Sequence, residues 1–508
     1  MPGVARLTRI PFHPLLFAAY AVLFLYAANL DEVLPVDAAA PLARAILAAV
    51  VATAALALAF RDLRRGAIVA SALVVAFYAY GHVMGFLSGL GLGDAAQLAM
   101  WAAFIIAAAV VAWRIGDALP QATTGLNVLA LVLVLLTAVS IVPYELGRSG
   151  RSHPLAAPVV AAAGGSPGRD IYFLIFDRYG SADAMERRFG ITDNDLYAWL
   201  RDRGFHVPAR SHANYRATDF SLAATLNMRY LDELTQEVGR VSGDRTPAQA
   251  LISHHDVGRF LKERGYRYYQ IASWFEPTRS IEIADENLVY GQASEFESVL
   301  NDLTILPAID RVRGVVSAEP TFRDRHREAA LFGIRQVHRV ATAPGPKFVF
   351  AHILLPHDPY VFHADGSPLS EADADAGDEA ALYRDHLAFA NSQIKELVTD
   401  LLSGPEERRP IVIIEGDEGP LMCRSVDCVQ TTPEYLKIRL GNLIAMYLPG
   451  VDVEVPDTFS SVNTFRLVLR EYFGANLPPL PDRSYTWPDN DHIYDFRDVT
   501  DLVLGDTG

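Results

Sequence analysis

Cysteine is nearly absent. The 508-residue chain has two, Cys423 and Cys428, with no C-x-x-C and no spacing suited to a metal site. That excludes thioredoxin-type and zinc-ribbon chemistry and a fold built on disulfides. Charge is also scarce, at 20% of residues against 51% hydrophobic, and the mean hydropathy is +0.16. There is no basic excess, since the formal net charge is −16. A nucleic-acid binder working through a basic surface is therefore excluded, and no nucleic-acid partner is expected. The scarcity is uneven. Residues 1–150 contain no lysine, eight arginines and seven acidic residues, whereas residues 151–508 carry a net charge of −17. An apolar, nearly neutral first third precedes an acidic globular remainder, a division that excludes a purely cytosolic enzyme and a disordered chain.

Windows free of charge recur at Ile10–Leu30, Ala45–Phe60, Gly66–Gly93, Ala95–Trp113 and Ala118–Tyr144. A hydrocarbon core of about 30 Å takes about 20 helical residues, so five membrane spans are expected. Their interiors hold no Asp, Glu, Lys or Arg, and His82 is the one ionisable exception. That speaks against a transport path through them. Arg6 and Arg9 precede the first span, Arg61, Arg64 and Arg65 lie between the second and third, and Arg114 between the fourth and fifth. The alternate loops, DEVLPVD and GLGD, are acidic. The positive-inside rule then puts the N-terminus in the cytoplasm of a multi-pass protein of the cell inner (plasma) membrane. Everything after Tyr144 is expected outside, where Cys423 and Cys428 are free to join.

The expected organisation is a transmembrane domain over 1–144, a Gly/Ala/Pro/Ser-rich linker over 145–169 and an extracytoplasmic domain over 170–508. In that domain the apolar runs IYFLIF (171–176), YRYYQIA (266–272), KFVFAHILL (347–355), IVIIE (411–415) and LIAMYLP (443–449) read as strands. Amphipathic stretches at Asp195–Arg203, Asp219–Leu231, Val257–Arg264, Thr321–Val340, Glu379–Leu402 and Val462–Phe473 read as helices. Strands apolar throughout and separated by helices predict an α/β fold with a mainly parallel sheet covered on both faces. Residues 276–320 have too little periodicity to assign.

Ligands gather beyond the carboxyl ends of such strands, and three runs end in reactive groups. IYFLIF leads into Asp177 of FDRYG, KFVFAHILL into His357 and Asp358 of PHDPY, and IVIIE into Asp417 and Glu418 of GDEGP. An Asp after a strand is usually a turn residue, but three such ends together outweigh one. Thr218 stands where a helix should begin, which makes it either an N-cap or a nucleophile placed against free amides. A threonine hydroxyl needs a base or a cation to react, and a divalent ion held by Asp177, Asp417 and Glu418 would supply it.

Taken in order, FLIFDRYG, the T-x-x-S-L of Thr218, FAHILLPHDPY and IIEGDEGP resemble the alkaline phosphatase/sulfatase superfamily. Five preceding spans resemble its membrane-anchored branch, which includes lipoteichoic acid synthase and the lipid A phosphoethanolamine transferases. The resemblance implies an α/β sulfatase-like domain in which Asp177, Thr218 and Asp417 bind one divalent metal. It further implies that Thr218 takes the phospho-group covalently and that His357 contacts that group or serves in acid–base transfer. His352 either lines the same pocket or belongs to the core. Arg178 and Arg216 either meet phosphate oxygens or form structural ion pairs. The chain departs from the pattern at Glu418, where the family has histidine. The set Asp177, Thr218, Asp417 and Glu418 is all oxygen and suits Mg, Mn or Ca better than Zn. No cysteine or serine stands in the C-x-P-x-R or S-x-P-x-R setting of a formylglycine sulfatase. The expected activity is transfer or hydrolysis of a phospho-group on an envelope lipid or glycan. The alternative is a catalytically degenerate envelope protein that binds a polymer or partner.

Overall fold

A computed structural model describes residues 10–149, 168–291, 293–313, 321–421 and 431–505. Cys423, Cys428 and residues 150–167 of the expected linker lie outside them. The chain divides into two compact units, one of residues 1–152 with 293–322 and one of residues 153–292 with 323–508.

The first unit opens with five apolar helices, α1 (His13–Ala28), α2 (Pro35–Phe60), α3 (Leu63–Gly89), α4 (Asp94–Arg114) and α5 (Leu119–Ser149). Four of them are long and apolar enough to cross a membrane, and α1, at 16 residues, is shorter. The α2–α3 turn is sharp because Arg61 adopts φ +51°. The Asp62 carboxylate then caps α3 by accepting from the amides of Arg64 and Arg65, satisfying donors that a helix start leaves open.

This unit departs from a contiguous division of the chain. The stretch 276–320, unassigned from sequence, contributes two helices, Glu295–Asp302 and Leu306–Arg313, to the apolar helices rather than to the sheet. Phe296 is buried among residues that include Phe17, Val22 and Tyr26. Between the two short helices the backbone itself docks. The Gly81 amide donates to the Leu303 carbonyl (2.9 Å), and the Ile305 amide donates to the carbonyl of Phe77 (3.0 Å). Gly81 is required there, since a Cβ on it would lie 2.6 Å from Leu303 Cα. Ion pairs Arg44–Glu297 and Arg311–Asp94 flank the contact.

The second unit is built on a six-stranded sheet of order β3-β2-β4-β1-β5-β6. Its strands are β1 (Ile171–Phe176), β2 (Arg267–Ile271), β3 (Glu286–Leu288), β4 (Lys347–Ile353), β5 (Ile411–Glu415) and β6 (Ile444–Tyr447). All pairs are parallel except β5–β6. Side chains alternate along β1, so Ile171, Phe173 and Ile175 enter one core and Tyr172, Leu174 and Phe176 the other. Both faces are covered, which is why the strands read as unbroken apolar runs. Central β1 pairs Ile175 with His352 on one side and with Glu415 on the other. The carboxyl ends of β4, β1 and β5 therefore lie side by side.

Gly81→Val is expected to cost about 1–3 kcal/mol, as overpacking does. In the detergent-solubilised chain it should lower the thermal midpoint and open residues 293–313 to limited proteolysis. Gly85→Ala, where nothing lies within 4 Å of an added Cβ, should change neither.

Candidate active site

One residue beyond β1, Asp177 remains in the sheet's frame, its amide donating to the Ile353 carbonyl (3.0 Å). Two residues beyond β5, Asp417 is turned toward it and accepts from the Arg178 amide at 3.0 Å. The two turns approach so closely that a Cβ on Gly416 would lie 2.3 Å from the Tyr179 carbonyl oxygen. Arg178, wedged between them, takes φ +59°, a left-handed conformation that costs a non-glycine residue energy. The Tyr383 hydroxyl, donating to the Arg178 carbonyl (3.0 Å), helps hold it.

Thr218 is the first residue of the helix Thr218–Asn227, and Ala217 occupies the N-cap with no side-chain capping bond. Thr218 is therefore not the cap that its position suggested. Its hydroxyl lies instead against the Asp417 carboxylate and favours its charged form. Ser221, one turn on, donates to the Asp417 carbonyl at 2.6 Å and fastens the helix to the turn. Thr218, like Ala217 before it, is half-buried, so its oxygen sits at the helix's positive end and remains reachable.

Asp177 and Asp417 are both buried. Burial, and next the charge of Asp177, push Asp417 up to about 6. Burial acts on Asp177 in the same sense, but His357, His352 and Arg178 outweigh it and hold that carboxyl well below the usual range. Asp177 Oδ1 and Asp417 Oδ2 are buried without a hydrogen bond of full geometry. Two adjacent carboxylates with uncommitted oxygens and a neighbouring hydroxyl fit a hard divalent cation. Such an ion takes one or two carboxylates from the protein and fills its other positions with water and substrate oxygens. Among the described residues no three His, Cys, Asp or Glu side chains form a ready cage.

Glu418 is buried beside Asp177 and Asp417, and its Oε2 is likewise without a hydrogen bond of full geometry. It pairs with Arg439, whose guanidinium also donates to the Gly419 carbonyl (2.9 Å), and it lies 4.0 Å from Arg178 Nε. The physical reason is that a buried carboxylate demands a partner, and the helix Pro433–Leu440 brings Arg439 to it. His352 is turned inward. Its Nε2 meets Asp177 Oδ2 at 3.1 Å, and its Nδ1 is 2.8 Å from Thr278 Oγ1 and 3.2 Å from Ser273 Oγ. Both ring nitrogens are used internally, so His352 positions Asp177 rather than touching substrate. Arg178 pairs with Asp358, and Arg216 stacks on Trp487 (4.3 Å) and donates to its carbonyl at 3.2 Å. Arg178 is thus held in an ion pair and Arg216 in a packing contact.

His357 lies near enough for its charge to bear on Asp177. Burial and then the Arg178 charge lower it to about 4, so its imidazole is neutral around pH 7. Its Nδ1 faces the Asp358 carbonyl, an acceptor only, so the proton sits there and Nε2 offers a lone pair. Behind it stand His326 and Trp274, joined by a 2.8 Å bond from Trp274 Nε1 to His326 Nδ1. Sequence reasoning missed Arg439, Trp274, His326 and the Ser273/Thr278 pair. Ser273 was within reach of it, because it follows β2 just as Asp177 follows β1.

Arg439→Met should cost about 3–5 kcal/mol by stranding Glu418, and the double change Glu418→Gln/Arg439→Met should recover most of that. Thermal unfolding of the three proteins measures it.

No family model matches the chain, and no curated protein matches it. Among solved structures it is similar to the C-terminal periplasmic domain of EcEptC from Escherichia coli. That match has 13% identity and a TM-score of 0.40, covering 70% of this chain and 98% of that one. The integral membrane lipooligosaccharide phosphoethanolamine transferase A of Neisseria meningitidis matches at 12% identity and a TM-score of 0.38, over 90% of this chain and 94% of that one. A protein in the alkaline phosphatase superfamily from Vibrio parahaemolyticus matches at 11% and 0.40, over 67% and 80%. The solved structures similar to this chain thus carry the names of the phosphoethanolamine transferases and of the superfamily that its motifs resemble.

Proposed function

We propose that the protein is a membrane-anchored, metal-dependent phosphotransferase or hydrolase that moves a phospho-group onto an envelope lipid or glycan. The observation that carries this reading is the Thr218 hydroxyl, half-buried at a helix N-terminus and set against Asp417 beside Asp177. The arginine distribution supports a cytoplasmic N-terminus and an α/β unit on the outer side of the plasma membrane. The five apolar helices keep that unit near lipid donors.

Asp177, Asp417 and Thr218 would hold the divalent cation, which lowers the pKa of a coordinated hydroxyl and neutralises charge on phosphate oxygens. Asp417 is the nearest acceptor for the Thr218 proton. The freed oxygen bonds to phosphorus as the donor's P–O bond breaks, and the departing oxygen takes a proton from water. Open amides at the start of the helix Thr218–Asn227 face the negative charge that develops. In the second half, an acceptor hydroxyl gives its proton to His357 Nε2 and attacks phosphorus, the Thr218 oxygen leaves as Asp417 returns its proton, and His357 passes its proton to the hydroxide left in solvent. Water as acceptor makes the enzyme a hydrolase. His352 keeps Asp177 in place throughout.

A second reading has one specific observation behind it. The buried Glu418–Arg439 pair stands where the family pattern has a histidine, as it would in a domain that binds a polymer or partner without turnover.

Purified full-length protein incubated with phosphatidylethanolamine or phosphatidylglycerol and Mg²⁺ is expected to carry a phospho-adduct on Thr218 by mass spectrometry. Thr218→Ala should cut turnover on the order of 10³-fold or more, and chelation should abolish it until Mg²⁺ or Mn²⁺ is returned. Full activity in Thr218→Ala rejects the nucleophile, and activity appearing only in Glu418→His favours the binding reading.

A further inference from the structure

The excursion 293–313 leaves the α/β unit and joins the apolar helices. Its depth can be read from its contacts. Gly81, bonded to Leu303, stands eight residues before the end of α3, about 12 Å along the axis. Arg44, paired with Glu297, stands nine residues inside α2, and Asp94, paired with Arg311, opens α4. These positions belong to the helix ends that carry the acidic loops, away from Arg61, Arg64 and Arg65. Beyond Gly81 two apolar side chains are exposed, Phe86 at 70% and, at the helix's C-cap, Leu90 at 64%. Exposed side chains of that kind at a span's end belong in lipid. The excursion packs deeper along α3 than they stand, and it has exposed apolar side chains of its own in Val299, Leu306 and Val312. Of the charged residues on the two short helices, Glu297 and Arg311 are paired with Arg44 and Asp94 of the apolar helices.

We infer that residues 293–313 are a membrane-interfacial element, seated in the outer leaflet with Val299, Leu306 and Val312 against acyl chains and headgroups. The chain segment between β3 and β4 thereby gives the α/β unit a second attachment to the bilayer. This inference rests on α1–α5 being spans and not on the reading of the active site.

The test uses the full chain with Cys423 and Cys428 changed to Ser, reconstituted in phosphatidylethanolamine/phosphatidylglycerol nanodiscs. Single cysteines replace Val299, Val312 or, as an exposed site of the α/β unit, Val241, each carrying an environment-sensitive fluorophore. Nitroxide lipids labelled high on the acyl chain are expected to quench the Val299→Cys and Val312→Cys labels at least about three-fold more than the Val241→Cys label, as befits an interfacial helix. Labels that respond like Val241→Cys, or that neither lipid nor aqueous quenchers reach, overturn the inference. The unmutated protein supplies an independent measurement. A photoactivatable lipid should leave adducts on peptides from 293–313 and none on 232–262, and adducts absent from 293–313 overturn it as well.

Discussion

Two carboxylates that cannot both be buried and charged without help set the terms for the rest of the site. Asp177 and Asp417 are brought together by the register of β1 and β5 and by the close turn at Gly416. Their neighbours can be read as responses to that constraint. The Arg178 amide and the Thr218 hydroxyl support Asp417, while His352, His357 and Arg178 support Asp177. Like charges in a low-dielectric site repel strongly. A divalent cation held by the two, as proposed for this site, would relieve that repulsion.

Around this centre the protein separates groups that are used up from groups that are left free. The ring nitrogens of His352, the guanidinium of Arg439 and that of Arg216 are all engaged by protein partners. His357 Nε2 is not committed in that way, and the Thr218 hydroxyl is engaged by Asp417, a member of the site itself. Fixed groups lose no freedom when a ligand arrives, so the first set confers rigidity and the second is free for chemistry.

How far these features were legible in the sequence depended on the range of the interaction responsible. Asp177, His357 and Asp417 could be found because a strand's apolar run and the turn after it are local patterns. The helix at Thr218 could be found too, although its cap fell on Ala217. The partnership of Glu418 with Arg439 was not legible, because nothing local says which face of the helix Pro433–Leu440 meets the turn after β5. Nor was the role of His352, whose partners come from β1 and from the segment after β2. Residues 276–320 defeated assignment for a further reason. Phe296, Leu300 and Leu303 pack against a different unit from the one their neighbours in sequence build, so their pattern answers to a surface far away in the chain.

The excursion between β3 and β4 also bears on modularity. Because the polypeptide passes between the two units three times, at 152/153, 292/293 and 322/323, neither is a detachable cassette. A recombination event transplanting the α/β unit onto another anchor would have to bring or replace the docking pair of short helices. Anchor and sheet are thus bound to change together, because the segment that brings Leu303 to Gly81 is spliced into the chain between two strands of the sheet.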